Sequence, residues 1–325
     1  MIYIFIILVV LVVLLFLCCF FAFNNTVWRK QIKMPDFIMK KIVGDPEISN
    51  YEKDYCRAYN TFTKLNHERE EIVTPDGAKL VAHVLVPEKS NGKLIIACHG
   101  ARSSGLGEFV FMGRDFHKNG YTLIMPDHRG CGESDGKFLG YGTHESVDTY
   151  LWVDYAKNRF PDLDIYLLGV SMGGATVLMM SPKAKENGIK AIVADCSYTS
   201  AWSEFSYHLC KGFRLPDFPI MHISDMFCRI FAGYGFKEAA PIESVKKSSV
   251  PILFIHGTAD DFVPYYMMDE LYEACNGKKY KLSIKNAEHA KAYYTASETY
   301  LFAVEEFMEN IKNSLDGYNG KSEIC

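Results

Sequence analysis

Residues 165–175 read Ile165-Tyr166-Leu167-Leu168-Gly169-Val170-Ser171-Met172-Gly173-Gly174-Ala175, and this stretch decides the fold. An apolar run of β-forming composition ends in Gly169-x-Ser171-x-Gly173, then passes into small residues and an apolar, helix-like segment. G-x-S-x-G at a strand-to-helix junction is the nucleophile-elbow pattern. Physical chemistry accounts for the glycines. A serine lifted above the end of a sheet adopts a strained backbone conformation, and its neighbours must be small for strand and helix to pack closely. The helix that follows offers free N–H groups and the positive end of its dipole to a developing oxyanion.

Outward from the elbow, strands alternate with helices. Residues 71–74 and 79–86 flank the turn Thr74-Pro75-Asp76-Gly77 and read as a hairpin. Further strands are expected at 93–98, 121–125, 189–194, 251–255 and 279–284. Helices are expected at 106–118, 144–159, from the elbow to about 186, and 291–314. This alternation predicts an α/β fold with a mostly parallel sheet covered on both faces. Residues 199–250 interrupt it with a stretch rich in aromatics, among them Trp202, Phe205, Phe213, Phe227 and Phe231. Their place in the chain predicts a cap of short helices over the C-terminal ends of the strands, where open α/β sheets bind ligands.

The N-terminus has a different character. Residues 2–23 carry no charge, and a membrane-spanning helix needs about 20 apolar residues. A secretory signal has an apolar region of only about 7–15 residues behind a basic start, and no Lys or Arg precedes this one. We therefore expect an uncleaved transmembrane anchor at 1–23, separate from the globular fold. A juxtamembrane linker with helical pieces follows at 24–66, and an α/β domain at 67–320 carries the cap at 199–250. Arg29, Lys30, Lys33, Lys40 and Lys41 all follow the span, so the positive-inside rule places that domain on the cytoplasmic side. Cys18 and Cys19 lie in the span, and the other cysteines are scattered without paired spacing, the pattern of a reduced intracellular protein. With 35 basic residues against 39 acidic ones and no basic aromatic-laced patch, nucleic acid is not an expected partner.

A serine hydroxyl becomes a useful nucleophile only when a base takes its proton and a carboxylate orients that base. On this pattern the chain order is serine, acid, histidine. His289, in Asn286-Ala287-Glu288-His289-Ala290, lies between the last strand and the terminal helix. Asp260, after the strand at 251–255, ranks first as the acid. Asp261 ranks second and could instead cap the following helix; Asp195, ending an earlier strand, ranks third. Two backbone donors should converge on the oxyanion: the N–H of Met172, and the N–H of Ala101 in the turn His99-Gly100-Ala101. His99, His128 and His256 are expected to brace their turns. The remaining histidines show no metal-ligand spacing, so neither a metal nor a cofactor is expected. Gly130, Gly132 and Gly136 lack the Lys-Ser/Thr that a phosphate cradle requires.

Four markers stand in one order: His99-Gly100, Asp127-His-Arg-Gly-x-Gly-x-Ser134, Gly169-x-Ser-x-Gly173, and His256-Gly-x-x-Asp260-x-x-Val-Pro264 followed by His289. Over about residues 67–314 the chain resembles an α/β-hydrolase-fold serine hydrolase. It is similar to the monoglyceride-lipase and serine-aminopeptidase-like branch, in particular its membrane-anchored bacterial members. The resemblance implies Ser171 as nucleophile, Asp260 as acid, His289 as base, and the amides of Ala101 and Met172 as oxyanion donors. The expected activity is cleavage of carboxylic esters, with apolar acyl esters or lipids favoured by the aromatic cap and the tether. An aminopeptidase is the enzymatic rival; it would need Glu204, Asp217, Asp225 or Glu238 to hold the substrate's ammonium. A non-catalytic membrane-tethered binding protein is the rival from another class.

Overall fold

A computed structural model describes residues 1–30 and 50–315. Lys33, Lys40 and Lys41, the middle of the expected linker, residues 316–320 and Cys325 lie outside them. Eight strands form one sheet in the order β1-β2-β4-β3-β5-β6-β7-β8. They are β1 (Glu68–Val73), β2 (Lys79–Leu85), β3 (Lys93–Cys98), β4 (Thr122–Pro126), β5 (Asp164–Val170), β6 (Ile189–Asp195), β7 (Ile252–Gly257) and β8 (Lys279–Ile284). β1 and β2 pair antiparallel, as do β2 and β4; every later pairing is parallel.

Burial explains the composition of the strands. All of β3 and nearly all of β5 are buried, as near-continuous apolar runs require when helices cover both faces. β1, at the sheet's edge, alternates exposed and half-buried residues. One face carries Ile95, Leu123, Leu168, Val193 and Leu253. The other carries Leu94, Ile124, Leu167, Ile192 and Phe254, with Trp152 packed against them. The chain reverses direction across the sheet at β3, which pairs with β4 on one side and β5 on the other. Ligands of open α/β sheets bind outside the strand ends at such a point.

Several helices differ from expectation. The one expected at 106–118 is two pieces, Gly105–Glu108 and Met112–Lys118, with Phe109 and Val110 turned into the core between them. The terminal helix begins at Ser297, after a separate turn at Ala292–Thr295. Within the expected linker, Asn50–Phe62 is a helix docked on the domain. Phe62 is buried so closely under Gly113 that a Cβ there would stand 2.8 Å from its ring. Between β6 and β7, helices Ala201–Phe213 and Ile220–Ala232 form the cap. Its base is closed by Ala201 N–H donating to the Ala239 carbonyl at 2.8 Å.

The apolar N-terminal helix runs over Ile2–Val27 and is long and apolar enough to cross a membrane. Most of it is exposed, but Cys19, Phe23 and Val27 are buried. Its last turns are thus part of the fold, packed with Leu139, Met221, Cys228 and Ala232 in one cluster.

Candidate active site

The elbow is built from close backbone contacts. Ser171 directly follows β5, at φ 55°, a left-handed conformation that costs a non-glycine residue about 1–3 kcal/mol. Its N–H donates to the Asp195 carbonyl at 2.9 Å, which holds the turn against β6. A Cβ at Gly169 would stand 2.1 Å from the Gly173 carbonyl oxygen, and one at Gly173 would stand 1.9 Å from that of Cys98. No side chain fits at either position. Ser171 is 9% exposed, and its hydroxyl faces a cavity under the cap.

The loops after β7 and β8 bring two further residues to that hydroxyl. His289 Nε2 lies 3.0 Å from Ser171 Oγ, and His289 Nδ1 lies 2.8 Å from Asp260 Oδ2. With Nδ1–H donating to the carboxylate, Nε2 is left to accept from the serine. Asp260 is itself tightly held: its Oδ1 accepts from the N–H groups of Phe262 (2.9 Å) and Val263 (2.8 Å). Burial alone would raise its pKa, but hydrogen bonds from His256 and His289 overcome that and lower it to about 2. Asp260 therefore faces His289 as a carboxylate at neutral pH.

The other two acids are elsewhere in chemical terms. Asp261 points to solvent and pairs with Lys211 at 3.1 Å. Asp195 is fully buried, and burial pushes its carboxyl up to about 7 against the lowering pull of His256. The native state thus keeps a proton that the unfolded chain releases near pH 4, so stability falls as pH rises from about 4 to 7. Asp195→Asn removes that ionisation. Between pH 5 and 8 its stability should gain on the native protein by about 2 to 3 kcal/mol. Melting curves in detergent at both pH values check the gain; a pH-independent difference would contradict it.

Ala101 and Met172 both line the cavity beside Ser171. Met172 is the first residue of the helix Met172–Met180, where N–H groups have no intrahelical partner. Neither its N–H nor that of Ala101 has a backbone or side-chain acceptor among the described residues. His99 braces the Ala101 turn as expected: Nδ1 lies 2.6 Å from the Gly100 carbonyl and Nε2 accepts from His128 N–H at 2.9 Å. His256 braces its own turn through the Val263 carbonyl at 2.9 Å. His128 differs, contributing its backbone to this bracing while its buried ring has no hydrogen-bond partner for Nε2. Glu108, which sequence reasoning missed, supports the same turn by accepting from Gly100 N–H at 3.2 Å.

The glycine-rich loop at 127–136 is filled from within. Asp127 accepts from Gly105 N–H and Glu133 N–H, each at 2.7 Å, and a Cβ at Gly132 would stand 2.0 Å from its carboxylate. A phosphate would meet a carboxylate there. Cys196, Asp260 and His289 place ligand atoms within 4.8 Å of one another. They make a poor metal site, because burial holds the Cys196 thiol well above its ordinary pKa and the other two groups bind each other.

The cavity, of about 420 Å³, is mostly apolar. Tyr141, Tyr198, Phe205, Leu209, Met221 and Phe236 wall it, and Glu204 and His208 add a polar spot at 2.9 Å from each other.

Comparison with known proteins agrees with this architecture. A family profile described as alpha/beta hydrolase fold matches residues 93–219. The uncharacterized protein YqkD of Bacillus subtilis is 30% identical over 282 residues, covering 86% of this chain and 91% of that one. The lysophosphatidylserine lipase ABHD12 of Rattus norvegicus is 26% identical over 197 residues, 56% of this chain and 45% of the relative. Among solved structures, an esterase of Pyrococcus furiosus superposes with a TM-score of 0.61 at 23% identity, covering 79% of this chain and 93% of the other. With sheet order, elbow and strand-end loops all in place, the chain belongs to the alpha/beta hydrolase fold family.

Proposed function

We propose that this protein is a membrane-anchored serine hydrolase that cleaves carboxylic esters through an acyl-enzyme. The observation that carries the reading is the hydrogen-bonded line from Ser171 Oγ through His289 to Asp260 at the floor of an apolar cavity. His289 takes the serine proton as Ser171 attacks the ester carbonyl. The oxyanion of the tetrahedral intermediate rests on the amides of Ala101 and Met172, and His289 then protonates the leaving alcohol. Water, deprotonated by the same histidine, releases the acid and regenerates Ser171. No cofactor enters these steps.

A lysophosphatidylserine lipase among the relatives supports ester cleavage, while the solved structures that share the fold include both an esterase and an acylaminoacyl peptidase. The cap's acids favour esters. Asp217 is engaged by Ser206, Asp225 and Glu238 are engaged by Arg229, and Glu204 accepts from His208. Of the four, Glu204 alone lines the cavity; its Oε2 is unpartnered, but burial raises its pKa and so disfavours the carboxylate that a substrate's ammonium would need. For the membrane, the uncharged helix Ile2–Val27 supports a single-pass anchor, and the positive-inside rule supports a cytoplasmic domain. We place the anchor at 1–23, the linker at 24–66 and the hydrolase domain at 67–320, within the monoglyceride-lipase and serine-aminopeptidase-like branch.

Asp260→Asn tests the mechanism. An amide at this position removes the acceptor that fixes the histidine tautomer, so ester turnover should fall by about 10³- to 10⁴-fold. Steady-state rates on p-nitrophenyl esters read the effect, and aminoacyl nitroanilides run in parallel separate esterase from peptidase. Turnover within tenfold of the native protein would exclude Asp260 as the acid.

A further inference from the structure

The last turns of the apolar helix are themselves a wall of the cavity that contains Ser171. Ala22, Phe23, Asn25 and Thr26 line it beside Ala101 and Met172. The join is fastened at its base. Arg102, next in the chain to Ala101, donates through Nη2 to the carbonyls of Asn25 (2.7 Å), Thr26 (2.9 Å) and Trp28 (3.0 Å). Carbonyls at a helix C-terminus have no partner within the helix, and a cation is favoured there. The Tyr141 hydroxyl adds a fourth bond, to Thr26 O at 2.9 Å.

The cap climbs the helix beyond this point. Phe227, on the cap helix Ile220–Ala232, meets the ring of Phe20 at 5.4 Å and that of Phe16 at 6.2 Å. Depth follows from helical rise. The polar residues Asn24, Asn25 and Thr26 and then Arg29 mark the end of the apolar span, and Phe16 lies about 12 Å further in. A side chain touching Phe16 is therefore at the depth of acyl chains whenever the helix spans a bilayer. The outer surface of the cap has the composition this demands. Ile230 is 65% exposed and Phe218 71%, with Met226 and Phe231 also exposed on the same cap helix as Phe227. Large apolar side chains exposed on one cap helix and the turn before it, beside His222 and Arg229, mark a surface that contacts something other than water alone.

We propose that this face of the cap is immersed in the leaflet where the helix ends, and that a lipid ester resident in that leaflet enters the cavity sideways, its acyl chain passing Ala22 and Phe23. The inference rests on the proposed ester hydrolase and names its substrate class. The helix is then both tether and part of the substrate site.

The test uses the full-length protein in phosphatidylcholine vesicles, with a fluorogenic long-chain ester in the bilayer and p-nitrophenyl butyrate in the water. Phe218→Glu combined with Ile230→Glu puts charge on the immersed face, away from the cavity. The rate on the bilayer ester should fall at least tenfold, while the butyrate rate and fluorophosphonate labelling of Ser171 stay at the native level. Equal loss on both substrates, or no loss on either, overturns the proposal. Ala22→Trp narrows the entry from the helix side and should lower the ratio of long-chain to butyrate activity at least tenfold; an unchanged ratio overturns it too. If the unsubstituted protein neither cleaves butyrate nor labels, the hydrolase reading fails, and this inference with it.

Discussion

Ser171→Ala should abolish ester hydrolysis, lowering turnover by about 10⁵- to 10⁶-fold, the size of loss expected when the nucleophile of an acyl-enzyme pathway is removed. Alanine cannot form the acyl-enzyme, and what remains is the contribution of the oxyanion donors and of binding alone. The fold should survive, because the Ser171 hydroxyl has His289 as its partner and a cavity before it. Two measurements check this together: steady-state hydrolysis of p-nitrophenyl esters, and covalent labelling by a fluorophosphonate. Both should vanish while the melting temperature stays within a few degrees of native. Hydrolysis persisting near the native rate would place the reaction at another residue and refute the serine mechanism. A folded protein that binds lipid esters with equal affinity before and after the substitution, and turns over neither, would instead favour the non-catalytic reading.

The second large effect is on folding. In Gly173→Ala the new methyl group would stand 1.9 Å from the Cys98 carbonyl oxygen and 2.8 Å from that of His99. Both obstacles are backbone, and β3 is paired with β5 at six positions from Lys93 to Cys98. Strand and helix cannot part there without breaking the centre of the sheet. The cost should exceed about 4 kcal/mol, a large share of the 5–15 kcal/mol that a typical domain has in reserve. We expect little folded protein, read as loss of protease resistance and of near-ultraviolet circular dichroism. A Gly173→Ala protein that melts at the native temperature would show that the elbow is looser than its distances imply.

These predictions draw on parts of the chain that differ in legibility. The elbow is readable because its constraint is local. A strained serine, two small neighbours, a strand before and a helix after all fall within a dozen residues. His289 is readable for a similar reason, since a loop between the last strand and the last helix opens at the same sheet end. The choice among acids is not local. Asp260 and Asp261 are adjacent and chemically identical, and only the turn after β7 settles which carboxylate accepts Phe262 and Val263 N–H and which reaches solvent. Glu108 lay hidden because its role is to support a turn eight residues earlier, which no spacing rule announces. The helix Asn50–Phe62 reads as linker because it is rich in charge, and its docking depends largely on Phe62 and a few tyrosines. Hydropathy also says that residues 2–23 are apolar without saying which of them face protein. Asn24, Asn25 and Thr26 at the end of the run are the only sign that its last turn has a polar task.

The grip of Arg102 on the helix end also has a consequence in time. A chain is made from its N-terminus, and the bond from Arg102 to Thr26 joins residues 76 apart in sequence. The cap helix that packs on Phe16 and Phe20 is made about two hundred residues after them, many seconds later at ordinary rates of synthesis. Until Arg102 and Tyr141 follow, the helix has a ragged end whose carbonyls have only water or lipid headgroups to bond. The pocket can close only after the cap arrives, and the site is completed on a helix made long before it.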